Sequence, residues 1–258
     1  MCHGAASVGT VITVAAPLRV GERLRAAPDG PRTVLHAGPS AIYVDLDGWC
    51  LGLLASTATR VPCGLWTSLP DLGELAAGPV EVVDGTLVVA GQAVRITRLV
   101  DVTVPATGRH ENLRFAPALS MTSAHGLDLP RTGPLTAEHA EHLLGRGPGL
   151  TPLGDDVLAG WFVARHAAGD SDTTLAAAVR PRLGVTTLLS ATLLDCSMRG
   201  EALPQLAAWL ADPTPEKTEA LVAVGATSGA GLLAGAGLAM SSLATDHPHL
   251  ADRPGRAA

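Results

Sequence analysis

The sequence predicts an α+β protein, an N-terminal antiparallel, barrel-like β subdomain followed by a C-terminal helical bundle subdomain. Three observations carry that expectation. From Val11 to about Val104, β-forming residues lie between Gly, Pro and Asp punctuation. After Pro134 the apolar period becomes helical. Hydrophobic residues make up 47% of the chain but aromatics only 3%, with Gly and Ala abundant, so close backbone approach must do the packing that bulky rings do elsewhere.

In chain order, "TVLHAGPSAIYVDL" and "WCLGLLAS" read as strands, and "VEVVDGTLVVAGQAVRITRLVDVTV" reads as strands folding back through Asp84-Gly85 and Gly91. These form a β-rich subdomain over residues 1–108. A connector without sustained period follows at 109–134, and its polar cluster Arg109, His110, Glu111 and Asn112 is a candidate for one wall of a site. Helices are expected over 136–144, 152–168, 183–199, 204–210, 215–224 and 228–243, in a helical subdomain spanning 135–245. A flexible tail is expected at 246–258.

Composition narrows function. Net charge is −6 and the basic residues are thinly spread, which argues against nucleic acid as a partner. Among 18 basic residues only Lys217 is a lysine, so Schiff-base and phosphate-clamping lysines are excluded and a bound anion must use Arg or backbone N–H groups. Cys2, Cys50, Cys63 and Cys196 form no CxxC pair, and no secretory leader pattern opens the chain, so a reducing cytoplasm is the expected compartment. The uncharged run at 220–245 is long enough for a bilayer, but "GATSG" interrupts it and Gly and Ala dominate it. A buried helix with a close neighbour at Gly231 and Gly235 is the expectation, and no membrane partner. The pair His139 and His142, and His247 and His249 in the tail, lack further ligands at zinc spacing, so no zinc site is expected.

The informative stretch is "GRGPGLTPLGDDVLAG", residues 145–160. Thr151 capping a helix that begins at Pro152 explains Thr, Pro and at most one Asp. It leaves Gly145, Gly147, Gly149 and Gly154 unexplained, because glycine near a helix start costs about 0.5–1 kcal/mol relative to alanine. Bare amides at a helix N-terminus suit an anion. Asp155 and Asp156 beside them suit a divalent cation such as Mg or the N–H donors of a carbamoyl or amide group. A ligand with an anionic end and an NH2 end satisfies both, with Arg146 as the nearby cation. The loop is no dinucleotide fingerprint, since "GRGPGL" lacks the third glycine, and the chain has no GK[ST]. A second loop, "GATSG", has Thr227 where a nucleophile elbow needs serine; Thr227, Ser228 and Gly229 offer hydroxyls and amides, and Ser228 also suits an N-cap. A third element, "VTTLLSATLLDCSMRG", puts Thr187, Ser190 and Ser197 at helical spacing, with Thr186 four before Ser190. Such hydroxyls either bond back to their own helix or line the same pocket.

In this order, "GRGPGLTPLGDDVLAG", "TTLLSATLLDCSMRG" and "VGATSGAGLLAG" resemble the family of the AllH-type subunit of oxamate carbamoyltransferase, over about residues 135–240. The resemblance implies a transferase of ureide (allantoin) nitrogen catabolism, interconverting oxalurate and phosphate with oxamate and carbamoyl phosphate. It also implies FdrA-like and AllG-like companion subunits, so that the chain is a catalytic, substrate-binding or scaffolding component. Gly147, Gly149, Thr151, Pro152, Gly154, Asp155 and Asp156 match the family's first motif, and Thr227, Ser228 and Gly229 its last; Leu153 and Ala230 depart from it. On this reading Asp155 and Asp156 are the catalytic candidates, and Arg146, Gly147, Gly149, Thr151, Gly154, Ser190, Thr227, Ser228 and Gly229 bind substrate.

Overall fold

A computed structural model describes residues 11–107, 127, 129–130 and 133–246. The connector cluster Arg109, His110, Glu111 and Asn112 and the tail histidines His247 and His249 lie outside the described residues. The chain divides into two compact units, residues 1–102 and 103–258.

The first unit is one curled, nine-stranded sheet shaped as a half-barrel, ordered β2-β7-β8-β9-β1-β6-β5-β4-β3. Its strands are β1 (Ile12–Pro17), β2 (Gly30–Pro31), β3 (Val34–Ala37), β4 (Ala41–Asp45), β5 (Cys50–Leu54), β6 (Gly64–Thr67), β7 (Val80–Val83), β8 (Thr86–Val89) and β9 (Gln92–Val100). Most neighbours are antiparallel, as the sequence predicts, but β1 runs parallel to β9 and β5 parallel to β6, which makes the sheet mixed. The expected reversals are two-residue hairpin turns: Asp84 and Gly85 have φ of 48° and 68°, Ala90 and Gly91 50° and 76°. Left-handed backbone at both central residues matches the twist of the strands that such a turn joins. Burial alternates along β7, whereas β5 is buried throughout and reads as a continuous apolar run. The sequence does not reveal α1 (Leu18–Ala26), which interrupts the β half and buries Val20, Gly21 and Leu24, nor the short α2 (Gly73–Ala76).

The second unit contains α3 (Ala137–Leu143), α4 (Leu153–Ala167), α5 (Thr173–Val179), a 3-10 segment (Arg180–Val185), α6 (Leu188–Ser197), α7 (Pro204–Ala211), α8 (Pro215–Val222) and α9 (Ser228–Asp246). The sequence missed α5, which Asp172 caps by accepting from the Leu175 amide, and began α6 too early, because the residues before it wind as 3-10 helix around Pro181. His139 accepts from the Thr136 amide in a capping box at the start of α3, and His142 bonds the Glu138 carbonyl, so both histidines serve their own helix.

α4 and α9 are the heart of this unit, and glycine sets their separation. A Cβ at Gly235 would lie 1.8 Å from the Val157 carbonyl oxygen, and one at Gly160 would lie 2.1 Å from that of Leu232. The backbones therefore touch, which is how a chain poor in aromatics reaches interior packing density. Trp161 and Phe162 on α4 and Trp209 on α7 are buried exceptions, and the Trp161 indole N–H donates to Asp172 at 3.0 Å. Among the described residues no helix is long and apolar enough to cross a membrane.

Candidate ligand site

The loop from Gly145 to Pro152 and the start of α4 form a stapled turn. Gly147 and Gly149 adopt φ of 119° and 95°, a backbone region closed to other residues without strain. The Gly154 amide donates to the Arg146 carbonyl at 2.9 Å and closes the loop on itself. Thr187 caps α6 by accepting from the Ser190 amide, and its own hydroxyl donates to the Leu150 carbonyl, pinning the tip of the loop.

Capping differs from the sequence expectation. Pro152 itself takes the N-cap position of α4, its carbonyl accepting from the Asp155 and Asp156 amides. Thr151 does not cap; its hydroxyl lies 2.9 Å from that of Ser228, the first residue of α9. That contact joins the two glycine loops across 77 residues of sequence.

The carboxylate pair lies beneath this junction, in two different environments. Asp155 is 1% exposed and accepts from the Gly145 amide at 2.7 Å on Oδ1, and from the Thr186 and Ser190 hydroxyls at 2.5 and 2.6 Å on Oδ2. Hydrogen bonds to a charged group contribute about 1.5–3 kcal/mol each, so Asp155 fastens α4, α6 and the glycine loop to one another. Burial pushes its carboxyl above the ordinary value, and the bonds from Ser190, Thr186 and Gly145 oppose that rise. Asp156 is 6% exposed, and its Oδ2 is buried with no hydrogen-bond partner among the described residues. Burial holds this carboxyl well above the usual carboxylate range; the Ser228 hydroxyl opposes the rise and the Asp155 charge adds to it. A buried polar oxygen left bare is costly and is where a ligand is expected to supply the missing partner.

The other sequence candidates divide. Ser190 reaches the site and Ser197 does not, its hydroxyl bonding back to the Leu194 carbonyl. The Gly154 and Gly229 amides bond the Arg146 and Val224 carbonyls. These two glycines are instead needed for close approach, since a Cβ would fall 2.0 Å from the Leu143 oxygen and 1.9 Å from the Leu221 oxygen respectively. The Gly147, Gly149 and Ser228 amides have no acceptor among the described residues. Arg146 is exposed and makes no ion pair among them; Thr227 is half-buried, its carbonyl accepting from Gly231. Among the described residues no three His, Cys, Asp or Glu side chains converge as a metal cluster would. Gly145 and Thr186 stand out in the sequence, but not as donors to Asp155. The Thr-Thr pair just before an apolar helix was the available signal: the second threonine caps, which frees the first to reach back.

Fold and site together define a class: an α+β chain whose helical unit builds a polar junction from two glycine loops and a buried carboxyl pair, without lysine. Residues 143–240 match the family model described as Oxamate carbamoyltransferase subunit AllH, which bears out the resemblance read from the sequence and takes in every loop and carboxyl residue just described. No curated protein and no solved structure matches the chain.

Proposed function

We propose that this chain is a carbamoyltransferase subunit of the cytoplasm that acts on an oxamate- or oxalurate-like ureide with carbamoyl phosphate or phosphate, in ureide nitrogen catabolism. The observation that carries the reading is the bare, buried Oδ2 of Asp156 at the junction of the two loops, within the segment that matches the family. In the direction from oxalurate, a phosphate oxygen bonds to the carbamoyl carbon, the bond from that carbon to the oxamate nitrogen breaks, and the departing nitrogen gains a proton. The unused amides of Gly147, Gly149 and Ser228, with Arg146, bind the anionic end and offset charge that develops on the carbamoyl oxygen. Asp156, whose carboxyl burial pushes well above the usual carboxylate range, faces the departing oxamate nitrogen and supplies the proton it gains. Asp155 keeps the loop in place; its three donors support this as its role in preference to direct contact with substrate. A divalent cation would find one free carboxyl oxygen here, a poor fit for Mg.

The test is phosphate-dependent formation of carbamoyl phosphate from oxalurate, with the chain alone and with FdrA-like and AllG-like companions. Asp156→Asn should abolish turnover with the fold intact, and retained turnover removes the assignment. A non-catalytic, ligand-binding or scaffolding subunit is the second reading, favoured by the family's description as a subunit. Turnover by the chain alone rules it out.

A further inference from the structure

The β unit carries a cavity of about 340 Å³ that the site above does not use. Its floor is one cross-strand row: Trp66 on β6 pairs with Ala15 on β1, which pairs with Arg98 on β9. A small residue between two large ones leaves a notch, and facing residues of such a row project from the same face of the sheet. Arg98 joins this row because of an irregularity. Val14 pairs with Ile96 but Ala15 with Arg98, so Thr97 is an extra residue, and without it the alternation would send Arg98 to the opposite face. Bulges in parallel pairs are rare and tend to re-aim a side chain.

The chemistry of the lining is one-sided. Arg60 stacks over the Trp66 ring at 5.5 Å, and Ser56, Ser68 and Thr13 add hydroxyls. Among the described residues no Asp or Glu lines the cavity and neither Arg60 nor Arg98 makes an ion pair, in a chain whose net charge is −6. Two unneutralised guanidinium groups on a preformed concavity suit planar, bidentate recognition of an oxyanion, and the volume is that of a small-molecule pocket.

We propose that this notch is a binding site for a small phosphate- or carboxylate-bearing anion, clamped between Arg60 and Arg98 over Ala15. It is independent of the carbamoyltransferase reading. The test is a titration of the full chain, followed by amide and indole NMR at fixed ionic strength, with inorganic phosphate in one series and oxalate in the other. The Trp66 indole and Thr97 and Arg98 amide signals should shift saturably, and the series that saturates first identifies the oxyanion. Arg98→Gln and Arg60→Gln should each weaken binding by about tenfold or more, and Ala15→Leu should block it by filling the notch. Because Ala15 is buried, the two exposed arginine variants decide the matter if Ala15→Leu fails to fold. No saturable shift with either anion, or parent-like affinity in both arginine variants, overturns the proposal.

Discussion

The two units solve the same shortage of aromatic residues in opposite ways. The β unit curls a mixed sheet through tight turns and leaves its polar concavity open, with Arg60 and Arg98 exposed and its far edge strand β3 in solvent. The helical unit presses backbone on backbone at Gly160 and Gly235 and places its carboxyl pair inside. The α4–α9 contact leaves no room for a Cβ at either glycine, so a change there must move a helix backbone.

The largest effect that could break this contrast is at the α4–α9 contact. Gly235→Leu should destabilise the protein by about 3 kcal/mol or more, since its Cβ starts 1.8 Å from a carbonyl oxygen. Gly184→Ala, where a Cβ meets nothing within 4 Å, should change stability by less than about 0.5 kcal/mol. Urea unfolding of both variants measures the difference, and equal midpoints would mean that the helices can move apart.

Next in size is Asp155→Ala, which strands the Gly145 amide and the Thr186 and Ser190 hydroxyls without their acceptor. A loss of about 2–3 kcal/mol is expected in the same measurement, and a loss below about 0.5 kcal/mol would remove its role as a fastening.

Asp156 should respond in the other direction, and with pH. Unfolded, its carboxyl titrates at ~3.9; folded, burial keeps the proton to higher pH. The stability contributed by the protonated acid is thus complete below about pH 3.9 and lost as pH rises through the folded value. Asp156→Asn removes that decline, so the variant should become progressively more stable than the parent as pH rises through this window, while losing turnover. Parallel stability–pH curves for the two proteins would contradict the buried, protonated state.

The smallest expected effect is in the β unit. Leu99 is 59% exposed, and Leu99→Ser should leave the melting temperature within the shift that about 0.5 kcal/mol produces.

How much of this was legible beforehand follows the range of the interactions. Asp84-Gly85 and Gly91 mark hairpins because a two-residue turn is local chemistry. α4 and α9 were readable from period and punctuation, within a few residues of their observed ends. α1 was not: nine residues with three buried ones look like one more amphipathic stretch inside a β-rich run. In the site, the residues of the two loops could be named from the string itself, but not the division of labour between Asp155 and Asp156. That division depends on Thr186 and Ser190, more than thirty positions away. The glycines misled for the same reason: Gly154 and Gly229 read as bare amides, while what they provide is room for carbonyls on α3 and α8.

The hydroxyl contact between Thr151 and Ser228 has a consequence for synthesis. Asp155 and Asp156 are synthesised more than seventy residues before Ser228, the first residue of α9. Only when α9 emerges can Ser228 close the junction, so a nascent or truncated chain ending before that helix should lack the contact that joins the two glycine loops, whatever secondary structure it has already formed.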